Sequence, residues 1–124
     1  MKEAKILLQS HCWEGAYYLG GYAAECALKA CIAKQTERYE FPDKKRVDDS
    51  HTHDLDKLAQ LAGLDTALSE AGKLEPELYL NWKIVRNWSE KSRYARPSRA
   101  EAEGLLAALR DRQYGLLRWL RRFW

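Results

Sequence analysis

Three groups of side chains in this 124-residue chain are of types that do chemistry. Glu25 and Lys29 stand four residues apart with the acid first, the favourable order for an ion pair on one helix face. Next to a substrate the same two could exchange a proton. His51, His53 and Asp54 offer two imidazoles and a carboxylate within one short stretch, ligand types that suit a divalent metal. The third group is basic and aromatic. Residues 86–124 hold 10 Lys/Arg against 4 Asp/Glu and carry Trp88, Tyr94, Tyr114, Trp119, Phe123 and Trp124, whereas residues 1–85 hold 11 against 14. Such a segment could neutralise phosphates and stack on bases.

Each group also has a plainer reading. The His51–Asp54 stretch has no second ligand cluster elsewhere, and Ser50 or Thr52 already accounts for it as a helix cap, so no metal is expected. For Glu25 and Lys29 a structural ion pair facing Arg86 or His53 is preferred over catalysis. The basic segment is preferred as a solvated arginine face opposite an aromatic core face. Arg118, Arg121 and Arg122 share one helical face, which could attract RNA or an anionic surface but equally complements a helix dipole. Cys12, Cys26 and Cys31 form no CxxC pair, and Cys26 and Cys31 lie about 140° apart around a helix. They read as buried thiols, and His11 beside Cys12 is too little for a catalytic pair.

The elements that must position these groups read as helices throughout. A short helix is expected over residues 3–10 and a long one over about 13–36, with Tyr17, Gly20, Ala24, Leu28 and Cys31 on its buried stripe. Gly20, Gly21, Ala23, Ala24, Ala27 and Ala30 leave this helix little bulk, so neighbours can approach its backbone closely. Two glycines would each cost about 1 kcal/mol against alanine in a helix interior, a loss that packing must recover. Residues 37–52 mix charges of both signs with Pro42 and no sustained period, and read as a loop.

A helix then starts near His53, with Leu55, Leu58, Ala59 and Ala62 as its apolar stripe and Gly63 as its stop. A small helical piece is expected over 65–71, ending at Gly72. Pro76 opens the next helix, which runs to about Trp88 with Leu78, Trp82, Val85 and Trp88 or Ser89 inward. Ser98-Arg99-Ala100-Glu101 has the form of a capping box. From it one last helix is expected to carry Leu105, Leu109, Leu116, Leu120 and Phe123 to residue 124. With no strand alternation anywhere, the fold class is all-α, an up-and-down four-helix bundle with short additional helices.

Length suits one domain over 1–124. A hydrophobic fraction of 46% and a charged fraction of 31% are those of a soluble globular protein. No run of about 20 apolar residues is present to span a bilayer, and the start lacks the charged and apolar regions of a secretory leader. The expected location is the cytoplasm, with no membrane association and no cofactor.

YAAECALKA over residues 22–30, HTHDL over 51–55 and NWSEKSRYARP over 87–97 together resemble the HEPN family of helical nucleotide-binding domains. The resemblance covers about Ala4 to Arg122, and Glu25, Lys29, His53 and Asp54 stand at its motif positions. It implies a HEPN-like bundle that forms a homodimer and is often encoded beside a minimal nucleotidyltransferase in toxin–antitoxin or defence systems. Some members are metal-independent ribonucleases whose site is an arginine, a polar residue directly after it, and a histidine separated from the arginine by four to six residues.

Carried over residue by residue, Arg86 and Asn87 match the arginine and its polar successor. The histidine is missing, because positions 91 to 93 read Lys91, Ser92 and Arg93. Arg93 and Tyr94 form the RY pair of the non-nuclease branch, with the following proline displaced to Pro97. Lysine or tyrosine, with ordinary pKa values of about 10, would be a poor proton carrier at neutral pH without strong tuning. The expectation is therefore a module that binds nucleotide, RNA or a partner protein through Arg86, Asn87, Arg93 and Tyr94. The alternative is a ribonuclease toxin using Arg86 with a non-histidine acid or base. The family context also marks Tyr94 as a residue that a nucleotidyltransferase partner could modify.

Overall fold

The computed structural model describes residues 1–38, 44–91 and 96–124, and among these the secondary structure is helical, without strands. The helices are α1 (Lys2–Gln9), α2 (Trp13–Arg38), α3 (Lys44–Asp49), α4 (Leu55–Leu61), α5 (Leu64–Leu74), α6 (Pro76–Arg86), α7 (Arg99–Arg110) and α8 (Leu116–Leu120), followed by a 3₁₀ turn over Arg121–Phe123. The longest, α2, packs against α1, α4, α7 and α8, while α5 packs on α4 and α6, and α6 on α7. One apolar cluster joins them through Leu28, Leu55, Leu58, Leu68, Leu78, Val85, Leu105, Leu109, Leu116 and Leu120.

The small residues of α2 are what let it sit at the centre. A side chain at Gly20 would meet the methyl groups of Leu106 and Leu105 of α7 at 2.9 and 3.4 Å. At Gly21 the Trp88 indole lies so close that a Cβ would stand 2.1 Å from its ring. Ala24, Leu28 and Cys31 are fully buried and Tyr17 is half-buried, so the inward stripe is the one the 3.6-residue period predicts.

Several boundaries differ from expectation, each for a local reason. The stretch 37–52 is not all loop: α2 runs on to Arg38 and α3 fills Lys44–Asp49, where opposite charges four apart replace an apolar stripe as the helix signal. Residues 39–43 of that stretch lie outside the described residues. The cap of α4 is Asp54, whose carboxylate accepts from the Lys57 amide at 3.2 Å, rather than Ser50 or Thr52. Thr52 instead accepts from the Asp54 amide at 3.1 Å and shapes the approach to the cap.

Gly63 takes the left-handed conformation, φ 71°, and turns α4 directly into α5. That helix starts earlier and ends later than expected because Gly72 is not a stop: it lets the Tyr79 ring of α6 lie against α5, with a Cβ position 2.7 Å from Tyr79 Cβ. Pro76 is the first residue of α6. Ser98 and Glu101 form both halves of the capping box, at 3.1 and 3.3 Å.

The expected single C-terminal helix is two. Asp111 accepts from the Gln113 and Tyr114 amides at 2.9 and 2.7 Å, folding the chain into a turn that separates α7 from α8. These bonds hold its carboxyl below the ordinary range. Arg118 donates to the Arg112 carbonyl across the same turn. No helix among the described residues is long and apolar enough to cross a membrane.

The cysteine reading is corrected for two of three. Cys31 is buried, whereas Cys12 and Cys26 are exposed, and all three are free thiols. Cys12 faces the Ser10 carbonyl and the His11 ring packs on Trp13 with centroids 5.1 Å apart, so these neighbours in sequence do not work as a pair. His11 has φ 64° at the α1–α2 turn, where the Cys12 amide reaches back to the Leu7 carbonyl at 2.8 Å.

Candidate functional site

The site begins with Glu25, the one charged side chain that is buried among the described residues, at 2% exposure. A carboxylate removed from water needs donors, and α2 and the start of α4 supply two. Its Oε1 forms an ion pair with Lys29 Nζ at 3.0 Å, one turn along the same helix, and lies 2.8 Å from His53 Nδ1. Of the two partners anticipated for the Glu25–Lys29 pair, His53 is the one in contact. Arg86 pairs elsewhere. Glu25 Oε2 and Trp88 Nε1 are both buried without a hydrogen-bond partner. The indole lies over Gly21, one helical turn before Glu25.

The Glu25 bond fixes the His53 ring and leaves Nε2 facing Glu90, whose carboxylate oxygen is 3.2 Å away. Asp56, in the first turn of α4, reaches the end of α6, accepts from an Arg86 Nη atom at 3.3 Å and forms an ion pair with its Nε at 3.1 Å.

These side chains line one cleft of about 650 Å³ between the start of α4 and the end of α6. It is formed by Thr52, His53, Asp54 and Asp56 on one side and by residues 86–91 on the other. Arg86, Asn87, His53 and Asp54 thus come together in the fold. The cleft carries three carboxylates, Asp54, Asp56 and Glu90, and two fixed cations, Arg86 and Lys91, beside the His53 ring. A smaller hollow of about 300 Å³ adjoins it, sharing Asn87, Ser89 and Lys91 and adding Tyr17, Arg96 and Glu101. Burial, and then the Glu101 carboxylate, push the Tyr17 hydroxyl above the usual phenol range, keeping it a neutral donor. Arg93 and Tyr94 lie outside the described residues.

Sequence reasoning placed Glu25, Lys29, His53 and Asp54 as motif or structural residues and so missed that His53 faces the same cleft as Arg86. The signal lies in tertiary contact: 33 residues separate His53 from Arg86 in the sequence. It also missed Asp56, Glu90 and Lys91, whose place depends on how the chain turns after α6.

The basic C-terminal segment divides, with some of its aromatic rings in the core and Trp124 41% exposed. Trp88 and Trp119 are buried, and Phe123 packs on Trp119 with ring centroids 4.8 Å apart, so these rings are not stacking platforms. Arg118, Arg121 and Arg122 are exposed. Among the described residues, no group of three or more His, Cys, Asp and Glu is placed to hold a metal ion.

Elsewhere a groove of about 620 Å³ runs between α1, α2 and the C-terminal residues, lined by Ala4, Leu19, Tyr22, Ala23, Cys26 and Trp124 among others. Comparison with family models, with curated proteins and with solved structures finds no match for this chain.

Proposed function

We propose that this chain is a HEPN-like binding module whose His53–Arg86 cleft takes a phosphate-bearing ligand, a nucleotide or RNA. The proposal includes an up-and-down four-helix arrangement, a homodimer, and a cytoplasmic role beside a minimal nucleotidyltransferase in a toxin–antitoxin or defence system. The observation that carries it is the meeting of Arg86, Asn87, Lys91 and His53 in one cleft above a buried Glu25 that holds the histidine in place. A guanidinium presents a planar fork that suits phosphate oxygens. Its present partner, Asp56, is 39% exposed, so the pair is solvent-screened and a ligand can exchange for it at little cost. Asn87 adds an amide that both donates and accepts, next to the arginine.

The second reading, a ribonuclease, has one specific observation in its favour. A histidine from the start of α4 shares the cleft with Arg86 and Asn87, although none follows them in sequence. Against it, the positions after Arg86 and Asn87 where the ribonuclease relatives carry their histidine read Lys91, Ser92 and Arg93. Incubating the purified protein and Arg86→Ala with a mixed RNA pool in EDTA, beside thermal-shift titrations with mononucleotides, separates the two. A nucleotide-dependent rise in Tm that Arg86→Ala loses, with intact RNA, supports the binding module. RNA cleavage that Arg86→Ala abolishes would replace it with the ribonuclease.

A further inference from the structure

The two carboxylates on His53 are not alike. Glu25 is 2% exposed and also bound by Lys29, so it is a fixed part of the helical core. Glu90 is 51% exposed, stands on the stretch after α6, and makes its contact to His53 at the longer distance of 3.2 Å. Arg86 repeats the pattern beside it, since its partner Asp56 is also partly exposed. The cleft therefore presents two nitrogen donors, each covered by a carboxylate that water already reaches.

We propose that Glu90 is a displaceable neighbour of His53, and that the phosphate monoester of a mononucleotide takes its place at His53 Nε2 while Arg86 holds the same phosphate. This rests on the reading of the cleft as a phosphate site and adds to it a second anion-contacting residue and a built-in competitor. A phosphate oxygen is an acceptor of the same kind as a carboxylate oxygen, and the Arg86 guanidinium bonds it strongly. The Glu25 bond to Nδ1 keeps the imidazole plane, and with it the Nε2 direction, unchanged when Glu90 leaves. A monoester dianion meets His53, Arg86 and Lys91, and moving Glu90 away leaves Asp54 and Asp56 against Arg86 and Lys91, so the excess of one carboxylate that opposes an anion is removed. Swinging Glu90 out costs little because a solvent-screened pair of this kind contributes little to stability.

Calorimetric titration with AMP and with adenosine tests this on the full chain, using wild type, Glu90→Gln, Glu25→Gln and Arg86→Ala, with the His53 Cε1–H resonance followed by NMR. Wild type is expected to bind AMP and not adenosine. Glu90→Gln, a surface change that leaves the fold intact, should bind AMP about fivefold tighter, the effect of removing one screened like charge. Glu25→Gln, checked for helicity by circular dichroism, should bind more weakly, and the His53 resonance should move on AMP addition in wild type and Glu90→Gln.

If Arg86→Ala loses AMP binding but Glu90→Gln matches or falls below wild type, or if the His53 resonance stays still, the displacement is wrong and the phosphate cleft stands. Equal binding of adenosine would exclude the phosphate as the recognised group. Absence of AMP binding in both wild type and Glu90→Gln would overturn the displacement and the cleft reading together.

Discussion

Glu25 lies in the core because Lys29 and His53 answer its charge from the rim, and it ties α2 to the start of α4 in doing so. Glu25→Ala leaves both donors without their acceptor, but each is partly exposed and recovers water. The expected loss is therefore about 1–3 kcal/mol, below that of a fully buried pair, and urea denaturation measures it. The thiols give a second test at this scale. Burial pushes the Cys31 thiol up to about 11, so it stays protonated at pH 8, whereas Cys12 and Cys26 meet solvent. A thiol-specific reagent should count two reactive cysteines in the folded protein and three in guanidinium. Three fast reactions in the folded state would contradict the packing of α2 against α8, where Cys31 lies 3.7 Å from the Leu120 carbonyl.

The helices owe their arrangement to where α2 has no side chains. Gly21→Ala would gain helix propensity yet drive a methyl into the face of the buried Trp88 ring, at 2.1 Å, and should cost about 2 kcal/mol or more. Gly104→Ala in α7 meets nothing within 4 Å and should stabilise by about 0.5–1 kcal/mol. Opposite signs for two helix-interior glycines, read from thermal melts, are the check. Those signs separate what the sequence holds from what only the fold decides. The apolar periods of α2, α6 and α7, the Pro76 start and the Ser98 capping box are local signals, and they appear where the sequence puts them. The polar α3 and the break at Asp111 carry no apolar period to mark them, and the use of Gly72 as a packing site rather than a stop depends on Tyr79 from another helix. Likewise Glu25–Lys29 was legible as an i,i+4 pair, while the approach of His53 to Arg86 is set by how α4 and α6 pack.

For the whole molecule, the cleft and the α1–α2 groove use different surfaces. The proposed homodimer is tested by light scattering. A wild-type monomer at micromolar concentration would remove the dimer from the account. A phosphate site at the His53–Arg86 cleft is checked by amide chemical-shift mapping of the labelled protein titrated with AMP. Saturable shifts centred on His53, Arg86, Asn87 and Lys91 that vanish in Arg86→Ala are expected. Shifts centred on the α1–α2 groove, or no shifts at millimolar AMP, would contradict it.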